Sequence, residues 1–375
     1  MVYITGSRAD YGVMRSTLKT IENHPKLELS LLVTGMHLLP EFGDTINEIK
    51  KDNFKIAAKV DMISKGDTGC SMAKSIGKGI LGIAEALKTE KPSIVLLQGD
   101  RSEMLAAAIA AAHMNIPIAH MSGGDITKGV IDNSVRNAIT KFSHIHFPST
   151  KESAERIIQM AEDPWRVHLV GNPGVDIKKE EYTKAPQLIK KFGIDPEKKL
   201  LLVIQHPVTT EIDQTKQQIQ ETLESIFELG EQTIVIYPNV DAGHKTIIDT
   251  IKKYEHYPFI RVYKNFSRVD FVGILHITDV IIGNSSCGVV EVSSLNVPAV
   301  NIGNRQKGRE RSTKNVIDVG HNKDEIINAI KKALYDKKFR EEIKECFNPY
   351  VCEGTEEKIV KVLSEVIISP QLLNK

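Results

Sequence analysis

Short apolar runs typical of β-strands alternate with longer amphipathic stretches along this chain, and this alternation constrains the fold more than any other feature. The runs in the first half are VYIT (2–5), LELSLLVTG (27–35), KIAAKV (55–60), SIVLLQGD (93–100), IPIAHMSGG (116–124), HIHFPS (144–149) and VHLVGNPG (167–174). The stretches 71–90 and 102–115 between them carry apolar residues at helical spacing. Strands that alternate with helices in this way form a parallel sheet covered by helices on both faces.

The alternation starts again in the second half, in the runs LLLVIQHP (200–207), QTIVIYPN (232–239), FIRVYK (259–264), DVIIGNSS (279–286), PAVNIG (298–303) and NVIDVG (315–320). The stretch 178–199 between the two series is charged and contains two prolines, which predicts a linker. A length of 375 residues suffices for two domains with full cores. We therefore predict an α/β fold of two Rossmann-like, doubly wound domains with a cleft between them.

The predicted domain boundaries follow from these patterns. The N-terminal Rossmann-like domain spans 1–175, the C-terminal one spans 176–350, and the remainder, 351–375, forms a C-terminal helix that packs back on the N-terminal domain. The helix is predicted from a Gly-Thr start at 354–355 followed by apolar residues at helical spacing.

Composition excludes several classes of partner. Lys and Arg number 49 against 48 for Asp and Glu, so the net charge of +1 gives no field to hold nucleic acid or an anionic membrane. No apolar run approaches the roughly 20 residues that a membrane-spanning helix needs. The four cysteines are spaced neither as zinc ligands nor as a CxxC pair. We expect a cytoplasmic protein with free thiols.

Polar segments follow the predicted strands in both halves. They are GSRADYG (6–12), QGDRSE (98–103), HMSGGD (120–125), QHPVTTE (205–211), YPNVDAG (237–243), GNSSCGVVE (283–291) and GNRQKGRE (303–310). Ligands of doubly wound sheets bind at the carboxyl ends of the strands, so these segments are the candidate site.

Several of these segments suit an anion. In GNSSCG, Ser285 and Ser286 end a strand and are predicted to open a helix, whose first N–H groups and dipole favour a negative ligand. Arg8, Arg101 and Arg305 carry guanidinium groups that match a diphosphate. The serines could instead be plain helix caps and the arginines surface residues. No Walker motif or three-glycine dinucleotide fingerprint occurs, which disfavours NTP hydrolysis and nicotinamide chemistry.

The candidate acid/base residues are Asp100, Asp125, Asp132, His206 and Glu291. A carboxylate that is buried and opposed by an arginine has the tuned pKa that proton abstraction requires. Structural roles remain open, since Asp100 could pair with Arg101 or cap a helix, Asp132 could cap the next helix, and His206 could be a satisfied residue before proline. A metal centre is not expected, because no H-E-x-x-H motif or close i, i+4 ligand spacing occurs.

Taken together, these segments resemble the hydrolysing UDP-N-acetylglucosamine 2-epimerases of sialic-acid and related nonulosonic-acid pathways, in the same order from residue 4 to residue 320. The resemblance implies the GT-B fold, with the UDP-sugar in the cleft between two Rossmann-like domains. It also implies the reaction: a base removes the C2 proton while UDP leaves C1, and water adds to the resulting glycal to release the C2-inverted free sugar. No cofactor or metal is implied, the partner is a small-molecule UDP-sugar, and we expect a homodimer or homotetramer.

The resemblance also implies roles for the site residues. Those expected to hold UDP are Arg8, Arg101, Ser285, Ser286, Glu291 and Arg305, with Glu291 accepting from the ribose hydroxyls. Asn239 and Asp241 are expected to line the same cleft. Asp100, His206 and Asp132 match acid/base positions of the family.

The chain departs from the family pattern mainly around the sugar. Ser122 stands where many members have a glutamate, and a serine hydroxyl cannot replace a carboxylate as a base. Asp125 or Asp132 could take the role, or the substrate could differ. Val290 replaces an arginine that often precedes the glutamate of the UDP site.

These departures leave two substrates open within the family. UDP-N-acetylglucosamine is the main expectation, and UDP-N,N'-diacetylbacillosamine, a 2,4-diacetamido-2,4,6-trideoxyhexose derivative, is the alternative. Three other activities also remain: a non-hydrolysing epimerase, a GT-B glycosyltransferase, and a UDP-sugar-binding protein without turnover.

Overall fold

The computed structural model describes residues 1–43, 45–128, 130–176, 180–312 and 314–375, which divide into two compact units. The first unit comprises Met1–Ile126, Ile131–Gly174 and Tyr350–Lys375, and the second comprises Thr127–Val130 and Val175–Pro349. Each unit contains one six-stranded sheet.

The strands coincide closely with the apolar runs of the sequence. They are β1 Val2–Thr5, β2 Ser30–Thr34, β3 Ile56–Val60, β4 Val95–Gln98, β5 Ile118–Met121, β6 Ile145–Phe147, β7 Leu200–Ile204, β8 Gln232–Ile236, β9 Ile260–Tyr263, β10 Val280–Gly283, β11 Ala299–Ile302 and β12 Val316–Val319. Most central strands are buried on both faces, as continuous apolar runs of parallel sheets require.

The helices occupy the amphipathic stretches between the strands. They are α1 Arg8–Glu22, α2 Ile46–Lys51, α3 Gly69–Glu90, α4 Ser102–His113, α5 Asp132–Phe142, α6 Lys151–Gln159, α7 Ala185–Phe192, α8 Thr215–Leu229, α9 His244–Ile251, α10 Arg268–Ile277, α11 Lys323–Tyr335, α12 Lys337–Glu342, α13 Thr355–Glu365 and α14 Pro370–Leu373. No helix in the described part of the chain is both long and apolar enough to cross a membrane.

Both sheets are parallel and have the same topology. The first has the order β3-β2-β1-β4-β5-β6, and the second has the order β9-β8-β7-β10-β11-β12. Both correspond to the 3-2-1-4-5-6 order of a Rossmann domain, in which the strand order reverses between the first and fourth strands. The predicted pair of doubly wound, Rossmann-like domains is therefore confirmed.

Small residues let α3 and α4 approach each other closely in the first unit. A Cβ atom at Gly79 of α3 would lie 3.0 Å from the Cβ of Ala106 on α4. The buried face of α4 consists largely of alanines, which bring its backbone near both α3 and the sheet. The alanine-rich composition of this stretch therefore sets the spacing of the layers.

The C-terminal segment packs within the first unit. α13 lies against α1, where the Ser16 hydroxyl donates to Glu356 at 2.8 Å. The buried guanidinium of Arg166 donates to the carbonyl oxygens of Leu372 at 2.7 Å and Asn374 at 2.7 Å. One arginine thus holds the turn of α14 in place.

Two local predictions are wrong. The run 167–174 forms no strand, because its pairing is limited to one isolated bridge between Val167 and His146. The stretch 178–199 is not a simple linker, because it contains α7, whose Leu188 is buried in the core of the second unit. Charged residues on both sides of α7 dilute its short apolar pattern; residues 178 and 179 lie outside the described residues.

Candidate active site

Asp100 follows β4 and forms an ion pair with Arg136 of α5. The guanidinium of Arg136 is 1% exposed, and its Nη1 also donates to the carbonyl oxygen of Asp125 at 2.8 Å. A buried guanidinium needs a carboxylate partner, so this arginine fixes the loop after β4 against the loop after β5. Arg136 is not among the residues predicted from the sequence; its place one helical turn after Asp132 is the signal that could have identified it.

Asp125 and Asp132 have different surroundings, although both lie in the segment after β5. The Asp125 carboxylate is buried and accepts a hydrogen bond from the Ser153 hydroxyl of α6 at 2.8 Å. This bond anchors the loop on α6. Asp132 is the partly buried first residue of α5, where the helix dipole favours a negative charge.

Ser122 lies in an uncharged polar group at the carboxyl ends of β4, β5 and β6. Gln98 Nε2 donates to its hydroxyl at 3.2 Å, and the Ser149 hydroxyl lies 3.3 Å from it. Ser122 is buried and has φ +60°, a left-handed conformation that is unfavourable for residues other than glycine. A strained, buried serine thus occupies the position at which the resemblance leads us to expect a glutamate.

Arg101 is held by Glu103, another residue that the sequence analysis did not select. The Glu103 side chain is 1% exposed and its Oε2 lies 3.3 Å from Arg101 Nε. A Cβ atom at Gly6 or Gly35 would lie within 2.6 Å of Glu103 side-chain atoms, so two glycines make room for this carboxylate. The ion pair fixes the direction of the Arg101 guanidinium.

Arg8 begins α1, whose start is fixed by a capping box between Ser7 and Asp10. Asp10 is buried and accepts hydrogen bonds from the Ser7 backbone N–H at 2.7 Å and the Ser7 hydroxyl at 2.6 Å. Burial raises the pKa of Asp10, and the bonds from Ser7 and Thr5 and the charge of Arg101 oppose this rise. The geometry gives Asp10 a structural role behind the candidate site.

His206 follows β7 in the second unit and is held at its backbone and its ring. Asn284 Oδ1 accepts the His206 backbone N–H at 2.7 Å, and Asn284 Nδ2 donates to the His206 carbonyl at 2.8 Å. The backbone N–H of Asn239 donates to His206 Nδ1 at 3.2 Å. Because Nδ1 accepts, the neutral ring carries its proton on Nε2, a tautomer assigned from hydrogen bonding.

Arg305 is fixed near the same place, at the carboxyl edge of the second sheet. Its Nη1 donates to the Asn284 carbonyl at 3.1 Å, and Gln306 Nε2 donates to the same oxygen at 2.9 Å. The structure thus brings His206 and Arg305 together through Asn284, and Asn239 contacts the His206 ring. Asp241 lies farther along the loop after β8, where its carbonyl accepts the His244 backbone N–H at 3.0 Å.

Glu291 is paired with an arginine that comes from another element. Arg268 Nη1, at the start of α10, donates to Glu291 Oε1 at 2.8 Å, and Arg268 Nη2 donates to Glu180 at 2.6 Å. Burial raises the pKa of Glu291, while Arg268 lowers it. Although Val290 replaces the family's arginine, Arg268 places a positive charge beside Glu291.

The segment GNSSCG does not open an α-helix, which corrects the prediction. Ser285 precedes a three-residue 3-10 helix, Ser286–Gly288, and a second 3-10 helix follows at Val292–Leu295. Two short helices do not supply a long helix dipole, so any anion binding by Ser285 and Ser286 depends on hydroxyl and backbone N–H groups. Cys287, in the first of these helices, is buried, which raises the pKa of its thiol to about 12.

The part of the chain that the structure describes contains no group of three or more His, Cys, Asp or Glu side chains arranged to hold a metal ion. The polar groups described above are instead carboxylates paired with guanidinium groups, and amides and hydroxyls that bond to the backbone or to other side chains. Such groups can bind a polyanion and exchange protons with a substrate.

Comparison with known proteins identifies the family. Residues 19–364 match the family model described as UDP-N-acetylglucosamine 2-epimerase. The chain is 41% identical to UDP-N,N'-diacetylbacillosamine 2-epimerase (hydrolyzing) of Legionella pneumophila, over 100% of this chain and 98% of that protein. It is 31% identical to the UDP-N-acetylglucosamine 2-epimerase of Neisseria meningitidis serogroup B, over 99% and 95% of the two chains.

The fold is shared with a solved structure of this family. The crystal structure of the UDP-GlcNAc 2-epimerase from Neisseria meningitidis bound to UDP-GlcNAc superposes with a TM-score of 0.78, at 19% identity, over 96% of this chain and 98% of that chain. At this identity the comparison establishes the fold alone, and the fold is GT-B-like. The chain belongs to the UDP-N-acetylglucosamine 2-epimerase family and is an enzyme of its hydrolysing type, acting on a UDP-2-acetamido sugar.

Proposed function

We propose that the substrate is UDP-N,N'-diacetylbacillosamine and that the products are UDP and the free C2-inverted 2,4-diacetamido sugar. The observation that carries this proposal is the 41% identity, over the whole chain, to a hydrolysing epimerase named for that substrate. UDP-N-acetylglucosamine is the second candidate, favoured by the family model and by the relative from Neisseria meningitidis. Ser122 supports the first candidate, because it changes a position next to the expected sugar.

The carboxylates of the first unit would carry out the chemistry at the sugar. Asp100 or Asp132 takes the C2 proton, the electrons of the C2–H bond form the C1=C2 double bond, and the C1–O bond breaks as UDP leaves. Water then adds its hydroxyl to C1 and a proton returns to C2 from the opposite face. We assign these roles to Asp100 and Asp132 ahead of Asp125, because the resemblance places Asp100 and Asp132 at acid/base positions of the family, whereas the Asp125 carboxylate accepts a hydrogen bond from Ser153.

The UDP leaving group needs positive charge and hydrogen-bond donors. We assign the diphosphate to Arg8, Arg101, Arg305, Ser285 and Ser286, and the ribose to Glu291. Asn239 and Asp241 would contact the nucleotide from the loop after β8. His206 would donate its Nε2 proton to the departing phosphate oxygen, a role that suits the tautomer fixed by Asn239.

We infer a cytoplasmic enzyme, since its four cysteines are free, as a reducing compartment favours. We also expect a homodimer or homotetramer. Analytical ultracentrifugation of the purified chain would test this, and a monomer at assay concentration would contradict it.

Turnover followed by proton NMR in heavy water tests the proposed function, with UDP-N,N'-diacetylbacillosamine and UDP-N-acetylglucosamine compared in parallel. We expect stoichiometric UDP, a free C2-inverted sugar with deuterium at C2, and kcat/KM at least about tenfold higher for the diacetamido substrate, a difference of about 1.4 kcal/mol. Product without deuterium would contradict C2 proton abstraction. A preference for UDP-N-acetylglucosamine would make the second candidate correct.

A further inference from the structure

We propose that Asn284 is a positioning residue that aligns His206 and Arg305 with each other. Its side-chain amide sets the geometry of the proton donor His206, and its backbone carbonyl sets that of the diphosphate ligand Arg305. The inference rests on the proposed function, which gives His206 and Arg305 these roles. Asn284 itself is 1% exposed and acts through the two residues that it holds.

The amide of Asn284 acts on His206 like a neighbouring backbone peptide. It accepts from the His206 N–H at 2.7 Å and donates to the His206 carbonyl at 2.8 Å. Two opposed hydrogen bonds fix the backbone of His206 on both sides of its Cα. Since Asn239 fixes the ring at Nδ1, the direction of Nε2 is determined once the backbone is fixed.

The position of Asn284 depends on the glycine before it. Gly283 ends β10 with φ +125°, and a Cβ atom there would collide with the carbonyl oxygen of Ile204 at the end of β7. The Asn284 N–H donates to that same oxygen at 3.2 Å. β7 and β10 therefore lie close together at the point where the strand order of the sheet reverses, and Asn284 bridges them.

The backbone carbonyl of Asn284 makes a second connection. It accepts hydrogen bonds from Arg305 Nη1 at 3.1 Å and from Gln306 Nε2 at 2.9 Å, and both of these residues follow β11. A movement of Asn284 would therefore displace the guanidinium of Arg305 as well as His206. This double connection distinguishes Asn284 from a buried asparagine that only completes the hydrogen bonds of the fold.

Only an amide side chain of this length can form both bonds to His206. Aspartate has the same shape but offers only acceptors, so one carboxylate oxygen would face the His206 carbonyl. Alanine removes both bonds and leaves the His206 N–H and carbonyl without these partners. Asn284→Asp therefore tests the alignment with little change in side-chain volume. Asn284→Ala tests it by removing both hydrogen bonds to His206.

The matched control is Asn315→Asp. Asn315 is fully buried at the amino end of β12, and its Nδ2 donates to the Val297 carbonyl at 3.3 Å. This exchange also places a carboxylate in the core of the second unit, but at the opposite end of the sheet. It should lower the thermal midpoint as Asn284→Asp does, while kcat and UDP affinity change by less than about threefold.

The first measurement is steady-state kinetics together with UDP binding by calorimetry. We expect Asn284→Asp to lower kcat about 100-fold, since a misplacement of about 1 Å can cost this much, and to weaken UDP binding about tenfold. A loss of stability with kcat and UDP affinity unchanged, or an equal loss of activity in Asn315→Asp, would overturn the inference.

If Asn284→Asp and Asn284→Ala both fail to fold, Gln306→Ala tests the contacts of the Asn284 backbone carbonyl. It should weaken UDP binding with kcat retained. Unchanged UDP binding would overturn the inference.

Double-mutant cycles separate positioning from a general structural effect. In a His206→Ala background, Asn284→Ala should change kcat by less than about threefold, because the partner through which Asn284 affects kcat is already lost. In an Arg305→Ala background, Asn284→Ala should change UDP affinity by less than about threefold for the same reason. Effects that multiply in both backgrounds would show that Asn284 does not act through these residues.

Failure of this inference can be distinguished from failure of the proposed function. A preference for UDP-N-acetylglucosamine would change the assigned substrate and leave the cycles unaffected. A wild-type kcat for His206→Ala would remove the assigned role of His206 and overturn its alignment by Asn284.

Discussion

At the scale of single residues, buried side chains behind the candidate site matter as much as those expected to touch substrate. Glu103 has no route to a ligand of its own, since it is 1% exposed, yet it pairs with Arg101 at 3.3 Å. Ser122 is likewise buried and is constrained by Gln98, Ser149 and a left-handed backbone. We therefore expect the geometry of the site to depend on buried residues such as Glu103, which orients Arg101, as well as on residues next to the ligand.

Glu103→Gln should weaken UDP binding about tenfold with a smaller effect on kcat, because the uncharged amide no longer fixes the Arg101 guanidinium. Calorimetry with UDP and steady-state kinetics would measure the two effects. The matched control is Glu162→Gln, which removes another buried carboxylate of the first unit and should leave UDP binding unchanged. Equal losses in the two variants would indicate a general loss of folding.

Ser122→Glu should raise kcat/KM for UDP-N-acetylglucosamine relative to that for UDP-N,N'-diacetylbacillosamine, about tenfold or more. The exchange restores the family's carboxylate at the position next to the expected sugar. Ser122→Gln, which has the same size without charge, is the control and should not shift the ratio. An unchanged ratio in Ser122→Glu would mean that this position does not select the sugar.

At the scale of elements, α5, β6 and the residue Lys375 after α14 meet in one ionic cluster around the buried carboxylate of Glu162. Glu162 accepts from Lys141 at 2.6 Å and from Lys375 at 2.7 Å, and His146 Nε2 lies 3.1 Å from it. Burial opposes the ionisation of Glu162, but these hydrogen bonds outweigh it and lower the pKa to about 2. Burial also lowers the pKa of His146.

The stability that Glu162 contributes should depend on pH in a definite direction. Its pKa falls from an ordinary value of 4.5 to about 2 in the folded chain, so the stabilisation is complete above pH 4.5 and is lost as pH falls toward 2. Urea unfolding should therefore show a difference in free energy between wild type and Glu162→Gln that shrinks between these pH values. A difference that grows on acidification would contradict the ionised state of Glu162.

At the scale of the whole molecule, the two units repeat one topology but carry different chemistry. At the edge of the first sheet, Asp100 pairs with Arg136, and Arg101 pairs with Glu103. We assign acid/base chemistry at the sugar to Asp100 and a phosphate contact to Arg101. The edge of the second sheet presents His206, Arg305 and the serines of GNSSCG. We therefore expect loss of Asp100, Asp132 or His206 to lower mainly kcat, and loss of Arg101 or Arg305 to weaken mainly UDP binding.

Asp132→Asn should lower kcat at least about 100-fold and leave the dissociation constant of UDP within about twofold, because general acid/base catalysis contributes factors of this size. Asp324→Asn, at an exposed position in the first turn of α11, is the control for loss of a charge near a helix start. Single-turnover kinetics and calorimetry would measure both quantities. If UDP affinity and kcat fall in proportion, Asp132 contacts the nucleotide and the division of roles is wrong.

The sequence by itself determined the two Rossmann-like sheets, because a strand buried on both faces produces a continuous apolar run that is visible without knowledge of its neighbours. It also placed the polar segments at the strand ends and, through their order, the family. Short elements could not be predicted from the sequence. The apolar pattern of α7 is too short to be distinguished from its charged flanks. The two 3-10 helices after β10 have a sequence that also suits the start of an α-helix.

Only the tertiary structure decided which side chains hold one another. Arg136 and Asp100 are 36 residues apart, and Asn284 and His206 are 78 residues apart, so no local spacing connects them. The role of Glu103 could not be predicted, because the sequence does not distinguish a buried glutamate from an exposed one. Its burial is evident only from the contacts with Gly6, Gly35 and Arg101 in the folded chain. The periodicity of apolar residues indicates which face of an element is buried. Which side chains pair across strand ends depends on which strands become neighbours, and that is determined only in the folded sheet.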